Sequence, residues 1–346
     1  MGNLILGEIK KILRPKALIT MAVIFIVFFI LIALFYNINW DNFMELASRQ
    51  TGNPDLDVDI AFGGSDYLYE LTAENVDERI AAYNELYRQA IESEGGLDYY
   101  YKSVVTVLEY VKVNNLYGQE LNIGEVAGRF TSAENFTLTY STTLVFIITI
   151  YAIVTMSGLY ADEYRNGTIK NIMIKPITAN QLTLAKLIAM CAVLLGLLLT
   201  ATLIGFLYGL AAYGTVSTVK VLLVFNAKHV CSATFGTYVL LMLISSCISI
   251  VSYGLLAFSL GTLFKRKTPA ILVSLAVCLG IFSLVLSLIN IKRFGFSSAL
   301  SLSSYFIPDL SLPYKANFFI SLGMLIVYNA LFYFALFFST NKRDIA

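Results

Sequence analysis

Six long runs without a charged residue dominate this 346-residue sequence. An α-helix rises 1.5 Å per residue and the hydrocarbon core of a bilayer is about 30 Å thick, so roughly 20 apolar residues can cross it. Hydrophobic residues make up 58% of the chain and charged residues 14%, which is too apolar for an ordinary soluble domain. The sequence therefore predicts an all-α integral membrane protein with six transmembrane helices, at 17–36, 138–161, 187–213, 236–264, 270–291 and 316–338.

Charge is divided unevenly along the chain. The segment 37–137 holds 18 of the 23 acidic residues but only 6 of the 24 basic ones. If the N-terminus is cytoplasmic, 13 basic residues flank the spans on the inner side and 5 lie in the two short outer loops. The positive-inside rule then predicts a multi-pass protein of the cell membrane, with both termini in the cytoplasm and the segment 37–137 outside.

The acidic segment 37–137 is predicted to be a mainly helical domain. Apolar residues recur at helical spacing from Val76 to Ile91 and again from about Asp98 to Leu116, and Gly95-Gly96 separates the two patterns. A small hairpin is predicted over 58–71. We expect the region 39–135 to fold on its own as a soluble domain. Its negative charge either attracts cationic substrates or keeps a solvated domain away from anionic headgroups, and the sequence leaves both readings open.

Residues 1–16 are predicted to form a cytoplasmic helix that lies in the membrane interface and ends at Pro15. Its apolar residues share one face beside basic residues: Leu4, Ile5, Ile9, Ile12 and Leu13. The alternative is a basic flank that only sets topology. The first span, 17–36, has no cleavage site after it, and we expect it to be a retained signal anchor.

The loop 162–186, between the second and third spans, has the local signals of a short helix between two turns. Asn166-Gly167 predicts a turn, and Thr168 can cap the helix that follows. One face of that helix would be apolar, and Pro176 would stop it; the apolar residues are Ile169, Ile172 and Met173. Thr178 and Gln181 have the spacing of a capping box, so a new helix should begin there. The alternative is a tight interfacial loop packed on lipid headgroups.

The spacing Glu163-x-x-x-Gly167-Thr168, then Pro176-x-Thr178, then Lys186 resembles the corresponding loop of ABC-2 type transporter permeases. The six spans, the N-terminal helix and a segment at 292–315 in the place of the family's outer hairpin extend the resemblance to the whole chain. The external domain after the first span is similar to the longer branch of that family. The resemblance implies that Thr168–Lys175 is a coupling helix docked on an ATPase subunit. The residues it assigns to this coupling are Glu163, Gly167, Thr168, Ile169, Ile172, Met173, Pro176 and Thr178.

The chain contains no phosphate-binding P-loop motif, so we expect it to be no enzyme and to hold no cofactor itself. The resemblance implies a separate ABC ATPase, present in two copies and carrying ATP and Mg, and a second permease copy or paralogue. Membrane lipids are the other expected partner, and nucleic acid is not expected. The implied function is export of a peptide, antibiotic, lipid or other amphiphile. The alternatives are a mechanotransmission permease, and a receptor or immunity protein with an acidic ligand-binding domain.

Small and polar residues mark two further candidate surfaces. Ser245, Ser249 and Ser252 form a stripe in the fourth span that either lines a translocation path or permits close helix packing. Ala276 and Gly280 form a packing face in the fifth span, and the resemblance implies that this face meets the dimer mate. His229 and Cys231 are too few for a zinc site, so no metal is expected.

Overall fold

The computed structural model describes residues 1–13, 71–93, 97–117, 133–168, 178–214, 221–281, 286, 294–307, 312, 315 and 317–341. Within these ranges the chain is mostly helical. The first elements are α1 (Gly2–Ile12), α2 (Val76–Ser93), α3 (Asp98–Val113), α4 (Ala133–Met156), α5 (Gly158–Arg165) and α6 (Ala179–Tyr213). A hairpin of β1 (Val221–Phe225) and β2 (His229–Ala233) follows, then α7 (Phe235–Phe264), α8 (Lys267–Cys278), α9 (Phe296–Leu300), a 3-10 turn at Ser303–Phe306 and α10 (Phe318–Asn341).

Four helical stretches in the described ranges are long and apolar enough to cross a membrane. They are Leu144–Arg165, Ala179–Tyr213, Gly236–Phe264 and Phe318–Thr340. These stretches fall on the predicted second, third, fourth and sixth spans, so the assignment of an α-helical membrane protein is confirmed at those positions. The predicted first span, 17–36, and all but the last residue of the predicted hairpin 58–71 lie outside the described residues.

The predicted fifth span differs from a single continuous helix. α8 begins at Lys267 and ends at Cys278, where the amide of Leu279 donates to the carbonyl oxygen of Leu275 at 2.8 Å. Gly280 follows with a φ of +76°, which a residue with a side chain rarely adopts. The helix therefore ends at Cys278, and Gly280 accepts the left-handed conformation that follows at a lower cost than a residue with a side chain.

The purely helical fold class needs one correction, because an antiparallel hairpin lies between α6 and α7. Val221 pairs with Ala233, and Phe225 pairs with His229. The sequence Val-Leu-Leu-Val-Phe of β1 is rich in residues that favour strands, and both faces of the strand are buried. Because such a run has no polar alternation, it reads from sequence as part of an ordinary apolar loop.

α2, α3 and the hairpin share one core, and we call these elements together the helix–hairpin unit. Leu222 and Val224 of β1 point into this core, while Val221 and Leu223 point the other way and pack with Tyr238 of α7. β1 is thus the layer between the two helices and the apolar bundle. The buried apolar residues of the shared core are Leu71, Val76, Ala90, Tyr100, Tyr101, Val104, Val107, Leu108, Val111, Leu222 and Val224.

The bundle itself is built around α4, α6 and α7, which meet at small residues. A Cβ atom at Gly261 of α7 would lie 2.3 Å from the carbonyl oxygen of Ser157, so only glycine allows this approach. α1 packs its apolar face on the same core: Ile12 is buried there, and Leu4, Ile5, Ile9 and Leu13 are partly buried against it. The apolar face of α1 therefore contacts protein.

Candidate functional site

Four charged side chains from three helices meet in one cluster near the start of α6, and three of the four are buried. Lys186 Nζ lies 2.8 Å from Glu163 Oε1 and 3.1 Å from Glu8 Oε2. Lys11 Nζ lies 2.6 Å from Glu8 Oε1 and 3.1 Å from Glu163 Oε1. Each lysine contacts both glutamates, so charges of opposite sign alternate around a closed ring. We call Glu8, Lys11, Glu163 and Lys186 the charge ring.

Lys186 is the most deeply buried member of the charge ring. Its side chain is 0% exposed, whereas that of Lys11 is 43% exposed. The ammonium group of Lys186 also donates to the carbonyl oxygen of Leu159 at 3.0 Å and lies 4.9 Å from the centre of the Tyr160 ring. An ammonium group can donate three hydrogen bonds, and three protein acceptors surround this one. Its hydrogen-bonding capacity is therefore met by the protein.

The burial of these charges is tolerable because the charge ring has no net charge. Moving an isolated charge out of water costs several kcal/mol, and nearby opposite charges and hydrogen bonds offset that cost. Burial opposes the ionisation of Glu8, but the charges of Lys186 and Lys11 outweigh it, so the pKa of Glu8 lies below its ordinary value. Burial also opposes the charge on Lys11, but its hydrogen bond to Glu8 and the charge of Glu163 outweigh this, so the pKa of Lys11 is raised.

The charge ring lies on both flanks of the loop 166–178, which joins α5 to α6. Glu163 is in the last turn of α5, and Lys186 is in the first turns of α6. A second link joins the same two helices, because Tyr160 Oη lies 2.8 Å from Thr183 Oγ1. α1 is attached to both helices through Glu8 and Lys11. This arrangement holds three segments together at the base of one loop.

The start of the loop has the predicted turn. Gly167 has a φ of +67°, and the amide of Asn166 donates to the carbonyl oxygen of Asp162 at 3.0 Å. The hydroxyl group of Thr168 donates to the carbonyl oxygen of Glu163 at 3.4 Å. These contacts turn the chain sharply after the last residue of α5.

The end of the loop has the predicted capping box. The hydroxyl oxygen of Thr178 accepts from the amide of Gln181, and the side-chain oxygen of Gln181 accepts from the amide of Thr178, both at 3.2 Å. The prediction that a new helix begins here is confirmed. The middle of the loop lies outside the described residues, so the coupling helix Thr168–Lys175 stays a prediction; the residues concerned are Ile169, Ile172, Met173 and Pro176.

Sequence reasoning missed Glu8 and Lys11 as members of a site. Glu8 is the only acidic residue among the first 40, and it lies on the apolar face of α1, three residues after Ile5 and four before Ile12. A lone carboxylate on an apolar helix face needs a buried cation as partner, and this signal was available in the sequence. That the partner would be Lys186, 178 residues away, is visible only in the fold.

The serine stripe of α7 is engaged in contacts between helices. Ser249 Oγ donates to the carbonyl oxygen of Leu300 at 2.8 Å, and Ser252 Oγ accepts from Asn329 Nδ2 of α10 at 2.9 Å. Ser245 is buried and donates within α7 to the carbonyl oxygen of Leu241. These contacts agree with the packing alternative, while a translocation path along the stripe stays a prediction.

The predicted dimer face and the residues His229 and Cys231 lie on elements that contribute nothing to the charge ring. Ala276 is half-buried in α8, and Gly280 lies just after the end of this helix. His229 and Cys231 both lie in β2, and the side chain of Cys231 is exposed. A dimer contact at Ala276 and Gly280 stays a prediction.

The sequence profile of DUF2705, a family described as proteins of unknown function, matches residues 118–346, well over half of the chain. The chain belongs to the DUF2705 family. The DUF2705 region contains Glu163 and Lys186, whereas Glu8 and Lys11 precede it. The charge ring therefore joins the family region to the N-terminal helix.

Two relatives from Bacillus subtilis (strain 168) are similar to this DUF2705 protein over part of its length. The uncharacterized protein YhcI is 26% identical over 211 residues, which are 60% of this chain and 62% of YhcI. The uncharacterized membrane protein YdbK is 27% identical over 154 residues, which are 44% of this chain and 58% of YdbK. The chain thus spans less than two thirds of either relative. No solved structure matches it. The apolar helices and the name of YdbK support a membrane location.

Proposed function

We propose that this DUF2705 protein is the transmembrane permease subunit of an ATP-binding cassette exporter of the ABC-2 type. It works with a second permease copy or paralogue and with two copies of a separate ATPase subunit, which holds ATP and Mg. Its substrate is a peptide, an antibiotic, a lipid or another amphiphile. Six spans, cytoplasmic termini, a cytoplasmic loop 166–178 and an extracytoplasmic segment 37–137 belong to the same proposal.

The observation that carries the proposal is the position of the charge ring. A loop that receives force from an ATPase must pass it to the spans without yielding, so its flanks need to be fixed to each other and to the bundle. Glu163 and Lys186 fix the two flanks at 2.8 Å, and both residues bond to α1. A movement of the loop would therefore move α1, α5 and α6 together.

The contact between Glu163 and Lys186 also gives a physical reason for the motif on which the resemblance rests. These two residues stand 23 positions apart, on either side of the loop, and carry opposite charges. The turn at Gly167 and the capping box at Thr178 set the two points where the loop leaves and rejoins the helices. In this proposal, the motif residues in the described ranges all fix the two ends of the loop to α5 and α6.

In the proposed mechanism, two ATPase subunits come together when they bind ATP and separate after hydrolysis. In each permease copy, the apolar face of Thr168–Lys175 occupies a groove of one ATPase subunit, so the movement of the ATPases displaces the loop. The charge ring passes the displacement to α5 and α6 as a rigid-body shift, and the substrate path opens on the other side.

The test is a pair of matched substitutions in the loop. Met173→Asp places a charge on the face that should enter the ATPase, and it should lower affinity for the ATPase about a hundredfold or more. Asn171→Asp adds the same side chain on another face and should leave the complex intact. The measurement is the amount of ATPase that co-purifies with each variant of the full chain from the native cell in mild detergent, together with ATP hydrolysis stimulated by the permease.

Both variants should reach the membrane at the normal level, since their spans and flanking charges are unchanged. If Met173→Asp retains the ATPase as well as Asn171→Asp does, the coupling role is wrong. If the unmodified chain brings down no ATPase at all, the transport proposal itself fails and a receptor or immunity function becomes the better explanation.

A further inference from the structure

Three parts of the molecule meet on Tyr305, which lies in the 3-10 turn before α10. The carbonyl oxygen of Tyr305 accepts two hydrogen bonds, one from Tyr99 Oη of α3 at 3.0 Å and one from the amide of Asn226 in the hairpin turn at 3.1 Å. Its own hydroxyl group lies 2.7 Å from Ser321 Oγ of α10. Tyr305 is buried, so each of these bonds replaces one to water.

The hairpin turn reinforces the same meeting point. Asn226 and Ala227 both have positive φ angles, of 54° and 53°, which give the tight turn that joins β1 to β2. Asn226 Oδ1 accepts from the amide of Phe318 at 3.2 Å and so satisfies one of the free N–H groups at the start of α10. Thr106 of α3 donates to the carbonyl oxygen of Ala227 at 3.2 Å.

Aromatic rings pack around these hydrogen bonds and restrict the movement of the groups that form them. The rings of Tyr99 and Tyr305 meet edge to face with centroids 5.6 Å apart, and the Phe318 ring lies 6.0 Å from that of Tyr305. At the start of α3, Asp98 Oδ2 accepts from the amide of Lys315, three residues before α10. We call Tyr99, Asn226, Tyr305, Phe318 and Ser321 the tyrosine junction.

α10 is the candidate span with the least packing of its own. Only 17% of its 18-residue apolar stretch is buried, against 39–61% of the matching stretch in the other three candidate spans of the described residues. Apart from mid-helix contacts such as the one between Asn329 and Ser252, a helix with so little buried surface depends on the groups that hold its ends. For the start of α10, those groups belong to the tyrosine junction.

We propose that Tyr305 is a positioning residue through which the helix–hairpin unit sets the position of the start of α10. A ligand or partner that shifts α3 would pull on the Tyr305 carbonyl oxygen, and the hydroxyl group of the same residue would pass the shift to Ser321. The coupling must act in both directions, because a free energy shared by two sites is reciprocal. This inference does not depend on the proposed transport function.

The test is amide hydrogen exchange of the full-length chain in nanodiscs of phosphatidylglycerol and phosphatidylcholine. Tyr99→Phe keeps the ring and removes the hydroxyl group that donates to Tyr305. It should speed exchange at residues 318–321 about two- to tenfold, which is the factor that corresponds to the loss of one buried hydrogen bond. Tyr110→Phe makes the same change elsewhere on α3 and should leave residues 318–321 unaffected. Asn226→Gly keeps the turn and removes the side chain that accepts from the amide of Phe318. It shows how much exchange at residues 318–321 rises when a hydrogen bond to this segment is lost directly.

The reciprocal variant decides between transmission and local damage. Ser321→Ala should speed exchange at residues 99–103 by a factor similar to the one that Tyr99→Phe causes at 318–321. If each variant speeds exchange only in its own helix, Tyr305 transmits nothing and the proposal is wrong. If Tyr110→Phe has the same remote effect as Tyr99→Phe, the response is general loosening and the proposal is equally wrong.

Discussion

The charge ring and the tyrosine junction each hold several elements together, but they do so with different chemistry. Both tie segments distant in sequence to the ends of apolar helices. The charge ring uses two glutamates and two lysines, and the tyrosine junction uses neutral hydroxyl, amide and carbonyl groups among aromatic rings. Charged groups give strong contacts that fail badly when one partner is lost, whereas neutral contacts each contribute less and fail more gradually.

The largest expected effect is the loss of the buried cation of the charge ring. Lys186→Met leaves Glu8 and Glu163 with only the partly exposed Lys11 as a shared partner, which should lower the free energy of unfolding by about 3–5 kcal/mol. The measurement is equilibrium unfolding of the full chain in mild detergent. Lys228→Met, at an exposed lysine beside the hairpin turn, is the control. Equal stability of the two variants would mean that the ring does not hold the fold together.

A core truncation in the helix–hairpin unit should have the next largest effect. Leu222→Ala removes a buried β1 side chain from the core that β1 shares with α3. We expect a loss of about 2–4 kcal/mol in the free energy of unfolding. Leu240→Ala makes the same change at an exposed position of α7 and should cost far less. A result in which both variants lose the same amount would contradict the shared core.

Acid should separate the two regions. The pKa of Glu8 is lowered in the folded chain, so the unfolded chain binds the proton more readily. The stabilisation from Glu8 is therefore fully present above its ordinary pKa of 4.5 and is lost as the pH falls through the lower folded value. Glu8→Gln should cost about 1–3 kcal/mol at pH 7, and its difference from the unmodified chain should shrink below about pH 4.5. The cost of Leu222→Ala should stay the same over this range; a parallel change in both would show that acid acts elsewhere.

The smallest effect is expected from an exposed ion pair. Lys112 of α3 and Asp77 of α2 are in contact, but both side chains are largely exposed to solvent. Exposed pairs gain little because water and salt screen them. Lys112→Gln should leave the midpoint of thermal unfolding unchanged at low and at high salt. A clear fall at low salt alone would show that surface charge contributes more to the helix–hairpin unit than its exposure indicates.

Local rules account for the parts of the fold that the sequence predicts well. Helical spacing places α2 and α3, the capping box places the start of α6, and Asn166-Gly167 places the turn after α5. Each depends on residues only a few positions apart, so the sequence states the contact directly. The same holds for the four apolar stretches that fall on predicted spans.

Where short-range rules compete, the sequence was a poorer guide. The run 270–291 has the composition of one span, yet α8 ends at Cys278 and Gly280 follows with a positive φ. β1 reads as a loop because both of its faces are apolar, and the strand forms only since α3 lies on one side and Tyr238 on the other. Leu222 and Val224 join the core of α2 and α3 from more than 100 residues away, which the sequence did not indicate, and independent folding of 39–135 stays a prediction.

By itself the sequence determined that this chain is an α-helical membrane protein with a polar insertion, because apolar length and helical periodicity are properties of consecutive residues. It also marked Glu163 and Lys186 as part of one motif. Only the tertiary structure decided that these two residues close a ring with Glu8 and Lys11, and that Tyr305 joins α3 to α10. A buried charge or hydroxyl group announces that it needs a partner, but the partner's position depends on how all the helices pack.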